Sequence, residues 1–119
     1  FGVSQLCLLY SKQFDLDQEL CAIMGLLHDY SVYKNNTSFN HAFLSSELAQ
    51  KMLEETLLFD EKEIEIIVEA IKNHSTKNQR HDPYSELLKM CDVVETFLHE
   101  PEMILDSNKK YYLEKWQKL

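Results

Sequence analysis

Five residues of this chain have side chains suited to holding a divalent cation and sit where helices could gather them. His28 and Asp29 adjoin at the end of the apolar run "GLLHDY", and His41 follows a polar segment. His74 ends "EIEIIVEAIKNHS", and Asp92 lies within "ELLKMCDVVETFL". Imidazole nitrogen and carboxylate oxygen together suit Zn, Fe, Mn and similar ions. Each of the five stands on, or beside, the apolar stripe of a different helix or helix end. Unpaired polar groups are costly there, so the five are expected to share partners. Adjacent helical residues point about 100° apart. His28 and Asp29 therefore reach one ion together only where the helix ends and the chain turns away. Taken singly, each has a plainer explanation. His74 alone would be a core histidine bonded to a carbonyl, His41 a first-turn surface residue, and Asp92 a partner for Lys89. A second "HD", at His81 and Asp82, precedes Pro83, and a helix cap accounts for that aspartate. The dipeptide by itself carries little; the order and helical placement of all five carry the argument.

The elements that must position these residues are helices. Only two glycines and two prolines occur in 119 residues, which leaves little turn chemistry for hairpins. The sequence reads as an all-α, single-domain bundle over residues 1–119. Val3, Leu6, Cys7, Tyr10 and Phe14 form a first stripe. A second helix begins at Asp15 or Asp17, with Leu20, Ile23, Met24 and Leu27 running into His28. The segment "SVYKNNTSF" reads as a loop. Asn40 then caps a helix with Leu44, Leu48 and Met52 on the His41 side, and Phe39 and Leu44 as its staple. Asp60 and Glu63 form a capping box, with Phe59 and Ile64 as a staple, ahead of Ile64, Ile67, Val68 and Ile71, a stripe that His74 continues. Asp82 caps the next helix with Pro83 in its first position, and that helix contains Leu87, Leu88, Cys91, Val94 and Leu98, with Asp92 in its middle. Pro101 stops it, and a terminal helix turns Tyr112 and Trp116 inward.

Charge and composition remove several function classes. A net charge of −8 argues against a general nucleic-acid binder, which needs a basic face. No apolar run approaches a membrane span, and no signal-peptide pattern is present. Cys7, Cys21 and Cys91 are odd in number, lack CxxC spacing and have apolar neighbours, as buried thiols of a cytoplasmic protein would. Helical periodicity starts at the first residues with neither an initiating Met nor a cap, so the natural protein is expected to continue upstream of Phe1.

The segments "GLLHDY", "NHAFLSSELAQKML", "EIEIIVEAIKNHS" and "ELLKMCDVVETFL" together resemble the HD-domain superfamily of metal-dependent phosphohydrolases, from Val3 to about Leu98. "GLLHDY" is similar to bacterial members of the diadenosine-tetraphosphatase branch, and the "LLKMCDVVETFLHEP" end to small HD proteins of unassigned function. The resemblance implies metal ligation and catalysis by His28, Asp29 and Asp92, together with a histidine just upstream of Phe1. It further implies a second ion on His41 and His74, bridged by Asp29. One or two divalent ions, of Fe, Mn, Zn, Ni or Mg, would be the cofactor. The chain departs from the common "HDIGK" form, having "HDYSVYK" instead.

The implied activity is hydrolysis of a small phosphorylated substrate, such as a nucleotide, by metal-activated water. Lys89, Lys34, Arg80 and Lys77 are the candidate phosphate contacts, with Lys89 favoured by its place near Asp92. The alternative is a degenerate HD module that binds a nucleotide or a protein partner without turnover. A purely structural metal, which would need a closed site of four protein ligands, ranks last, because a chain with several apolar helical stripes should fold without one. Tyr111, Tyr112 and Trp116 fit either core packing or a homodimer contact.

Overall fold

The computed structural model describes residues 2–35 and 40–119, with side chains given throughout except at 33–35. Seven α-helices account for most of these residues, and no strand occurs among them: α1 (Gly2–Ser11), α2 (Gln18–Leu27), α3 (Tyr30–Asn35), α4 (His41–Thr56), α5 (Glu61–Asn73), α6 (Pro83–His99) and α7 (Ser107–Gln117). The all-α expectation holds. No helix of the described residues is long and apolar enough to cross a membrane.

Aspartates start four of these helices. Asp17 accepts from the Leu20 N–H at 3.0 Å, so the cap of α2 is Asp17 and not Asp15, which takes a left-handed conformation (φ 56°) after a short 3₁₀ turn. Asp60 and Glu63 close a reciprocal box at 2.8 and 3.0 Å, Asp82 accepts from Ser85, and Asp106 accepts from Lys109. Each such cap is worth about 1 kcal/mol. Asn40 is the one departure. It precedes α4 with φ 49° and makes no side-chain cap, and its proposed staple partner Phe39 lies outside the described residues.

One core joins all the helices except α3, whose Tyr30 packs at its edge. Helix α1 lies on α2 and α6, while α5 is flanked by α2, α4 and α6. Val3, Cys7, Met24, Ile67, Ile71, Leu88 and Val94 fill its centre. One expectation is corrected here: residues 31–35 of the expected loop belong to α3. The deepest face of α4 is Ala42, Ser45, Ala49 and Leu53, while Leu44, Leu48 and Met52 are only partly buried. Small side chains there let α4 approach its neighbours closely. Leu98 points outward, 53% exposed, where α6 runs past the core. Tyr112 is fully buried, and Trp116 donates its indole N–H to the Tyr10 hydroxyl at 3.0 Å, so this part of the terminal helix serves the core.

Helices α1 and α2 meet closest at Gly25. A β-carbon there would stand 2.7 Å from the Ser4 Cα and 3.1 Å from the Val3 carbonyl oxygen, both backbone atoms that cannot swing aside. Ser4 reinforces the approach by donating to the Ala22 carbonyl at 2.7 Å. Gly25→Ala is therefore expected to lower stability by about 1–3 kcal/mol through overpacking. Urea unfolding measures this, and an unchanged midpoint would contradict so close a packing.

Candidate metal centre

Two of the histidines are held in the same way. His28 and His74 each sit just past the last turn of a helix, as the C-terminal caps of α2 and α5. Each places its Nδ1 2.6 Å from the carbonyl oxygen three residues earlier, Gly25 for His28 and Ile71 for His74. That bond makes Nδ1 a donor and turns Nε2 toward the cluster as the nitrogen available to a metal, the arrangement usual for metal-binding imidazoles. Both rings are almost fully buried, and they meet edge to face with centroids 5.1 Å apart.

Asp29 lies in the turn between α2 and α3, one residue past the helix end, where the chain bends enough for it to face the same point as His28. Its two oxygens look in different directions. Oδ2 is 3.2 Å from His28 Nε2, which also has Asp92 Oδ1 at 3.6 Å. Oδ1 is 3.3 Å from His41 Nε2 and 3.6 Å from His74 Nε2, and those two nitrogens are 3.3 Å apart. Oδ1 is buried without a hydrogen bond among the described residues.

His41 reaches this point because α3 is latched onto the first turn of α4. The Ser31 N–H donates to Ser45 Oγ at 2.9 Å, Ser45 donates to Ser31 Oγ at 3.0 Å, and Ser31 Oγ donates to the His41 carbonyl at 3.1 Å. Both serines are fully buried. Nothing in their spacing marks them, since a buried serine pair leaves no periodic signature.

Electrostatics tie the cluster together. Burial opposes a charge on His28, but Asp29 and Asp92 outweigh it and carry its pKa up to about 10. Burial likewise opposes charge on the two carboxyls, yet the imidazoles, and Lys77 beside Asp92, hold both well below the usual carboxylate range. The donor set fits divalent ions. Two ligands at about 2.0–2.1 Å from one ion stand roughly 3.0–3.4 Å apart at octahedral to tetrahedral angles, and the contacts above run from 3.2 to 3.6 Å. His28, Asp29 and His74 bring one ligand atom each within 4.8 Å of one another. Asp29 Oδ1, buried and without a donor, is the atom a cation would satisfy.

The cationic candidates separate. Lys77, on the segment after α5, donates to Asp92 Oδ2 at 2.9 Å and to the His74 carbonyl at 3.0 Å, which places it at the cluster. Lys89 does not reach it. Fully buried, it commits its three protons to Glu86 Oε2 at 2.8 Å, His81 Nδ1 at 2.6 Å and the Gln79 carbonyl at 2.9 Å. Arg80 is exposed and stacks over the Tyr111 ring, 3.7 Å from its centroid. The side chain of Lys34 lies outside the described residues. His81 serves Lys89, and Asp82 caps α6, as expected of the second "HD" pair. All three cysteines are free and buried; a hydrogen bond with Cys91 and burial push the Cys7 thiol well up, and burial pushes Cys21 up to about 12.

A family model described as "HD domain" matches residues 1–96. The chain belongs to the HD-domain family. Among curated proteins, this HD domain is similar to Ribonuclease Y of Chlorobium luteolum (strain DSM 273 / BCRC 81028 / 2530), 27% identical over 92 residues. That alignment covers 77% of this chain but 16% of the relative. No solved structure gives a significant match. The HD-domain match ends within α6, so α7 lies beyond it.

Proposed function

We propose that this HD domain is a metal-dependent phosphohydrolase acting on a small phosphorylated molecule, with nucleotides the leading class. The observation that carries the reading is the division of Asp29, whose Oδ2 faces His28 while its Oδ1 faces His41 and His74. His28, Asp29 and Asp92 would hold one ion, joined by the histidine that the resemblance places before Phe1; His41, His74 and Asp29 would hold a second. Bound divalent ions supply a hydroxide source by lowering the pKa of bound water from 15.7 to about 7, and they polarise phosphoryl oxygens.

The protein's own part is orientation and charge. The Gly25 and Ile71 carbonyls fix two imidazoles, the Ser31–Ser45 latch sets the third, and Lys77 steadies Asp92 through its outer oxygen. The matched relative is named a ribonuclease, and cleavage of a phosphodiester is chemistry of the same kind. The net charge of −8 favours a small substrate over a polymeric one.

Chromogenic phosphate mono- and diesters test the proposal. After chelator treatment, Mn²⁺, Fe²⁺, Zn²⁺, Ni²⁺ or Mg²⁺ should restore turnover that the stripped protein lacks. No turnover with any of these ions would overturn it.

A further inference from the structure

Lys77 faces two places at once. On one side its ammonium holds Asp92; on the other it lines a surface cleft of about 380 Å³ shared with Ser75, Asn78, Asp106, Asn108 and Lys109. The lining contains hydroxyl, amide, ammonium and carboxylate groups and no apolar side chain. It suits a polar, charged ligand end and offers nothing for a base or ring to stack on.

The charges in it are arranged to favour an anion. Asp106 is already engaged, its Oδ1 accepting from the Lys109 N–H at 2.8 Å. The Lys109 ammonium has no partner among the described residues, and Lys77 uses two of its three protons, on His74 and Asp92. Two other clefts have the opposite character: one between α4 and α5 is lined by Glu54, Glu61, Glu65 and Glu69, another by Glu65, Glu69 and Asp82, and neither has a lysine or arginine in its lining. A third holds Lys51 and Lys72, outnumbered by Glu47, Glu54 and Glu69. In a chain of net charge −8, cations outnumber carboxylates in the cleft that adjoins the metal centre. Asn108 and Lys109 belong to α7, past the end of the HD-domain match.

We propose that this cleft binds a second phosphate of the substrate, next to the one held at the metal centre, with Lys77 between the two phosphates and Lys109 at the far end. The substrate class is then a compound with adjacent phosphates, a diphosphate unit, instead of an isolated phosphate monoester. This rests on the phosphohydrolase reading for the identity of the neighbouring site.

The experiment separates the two claims. Inorganic pyrophosphate is titrated calorimetrically into chelator-treated protein, where no ion contributes, and ester hydrolysis with added metal is measured separately. Pyrophosphate should bind the wild type, and Lys109→Ala should weaken that binding about tenfold, the worth of one charge-assisted hydrogen bond. Lys110→Ala, one residue along and outside the cleft, should leave it unchanged. Lys109→Ala keeps the N–H that Asp106 caps, so α7 is expected to persist, and circular dichroism checks this. Absence of pyrophosphate binding by the wild type, or equal affinity in wild type and Lys109→Ala, overturns the cleft whatever the ester assay gives. Failure of the ester assay with pyrophosphate binding intact overturns the phosphohydrolase reading and leaves the anion site standing.

Discussion

Asp29→Ala is expected to abolish metal-dependent hydrolysis while leaving the metal-free fold in place. Asp29 faces all three imidazoles of the cluster, so its loss removes a ligand from both groups at once. Metal ions contribute several kcal/mol of transition-state stabilisation, which corresponds to a loss of roughly 10³-fold or more in kcat/KM. Stability in chelator should fall only modestly. The variant loses the attraction of the carboxylate to the imidazoles, while removing Oδ1, buried without a hydrogen bond, offsets about 1–3 kcal/mol of that loss. Thermal melting in chelator, set beside steady-state kinetics with metal, reads the two effects separately. A variant that retained turnover would remove Asp29 from the site, and one that failed to fold would make the residue structural.

The second large effect is expected one turn along α6 from the cluster, at a group that does not reach it. Lys89 and Glu86 form a buried ion pair at 2.8 Å. Glu86 also accepts from the Tyr112 hydroxyl at 2.9 Å and the His81 N–H at 3.0 Å. These bonds tie the segment after α5, the helix α6 and the helix α7 into one network. Removing one partner of a buried pair strands the other charge, so Lys89→Ala should cost about 3–5 kcal/mol, measured by urea unfolding. Replacing both, as Lys89→Met with Glu86→Leu, should recover much of that loss. A single-variant loss below about 1 kcal/mol would show the pair to be solvated.

The same network sets an acid limit. Burial pushes the Glu86 carboxyl up, but the bonds from Lys89, His81 and Tyr112 outweigh it and hold the carboxyl below the ordinary range. Stability from such a group is fully present above the unfolded value of about 4.3 and is lost as pH falls through the lower folded value. The wild type should therefore lose its advantage in Tm over Glu86→Gln as pH drops below about 4. A constant difference between pH 7 and pH 3 would contradict the shift.

What could be read from the sequence was local. The caps at Asp60 and Asp82 depend on residues three apart, and the stripe of α5 depends on one helix's own period, so both emerge directly from the sequence. The five candidate ligands were visible for a related reason, since each stands on or beside an apolar stripe. Lys89 shows where such reasoning fails. It stands three residues before Asp92, within reach by spacing. Helical side chains, however, lean toward the helix N-terminus, so Lys89 covers Glu86, a turn earlier, and not Asp92, a turn later. Lys77 reaches Asp92 from an irregular segment whose path is set by α5, α6 and α7 together, and no periodicity announces that. The Ser31–Ser45 latch and the buried small-residue face of α4 were hidden likewise: small and hydroxyl side chains carry little hydrophobic signal, yet they decide how closely helices approach.

The central claim is that His28, Asp29, His41, His74 and Asp92 hold divalent metal. Elemental analysis of protein purified without chelator, beside Asp29→Ala prepared identically, tests it most directly. One or two equivalents of Fe, Mn, Zn or Ni in the wild type, lost in the variant, is the predicted result. No metal in the wild type, and none taken up when these ions are added, would contradict it and leave the cluster as part of a module that binds without hydrolysing.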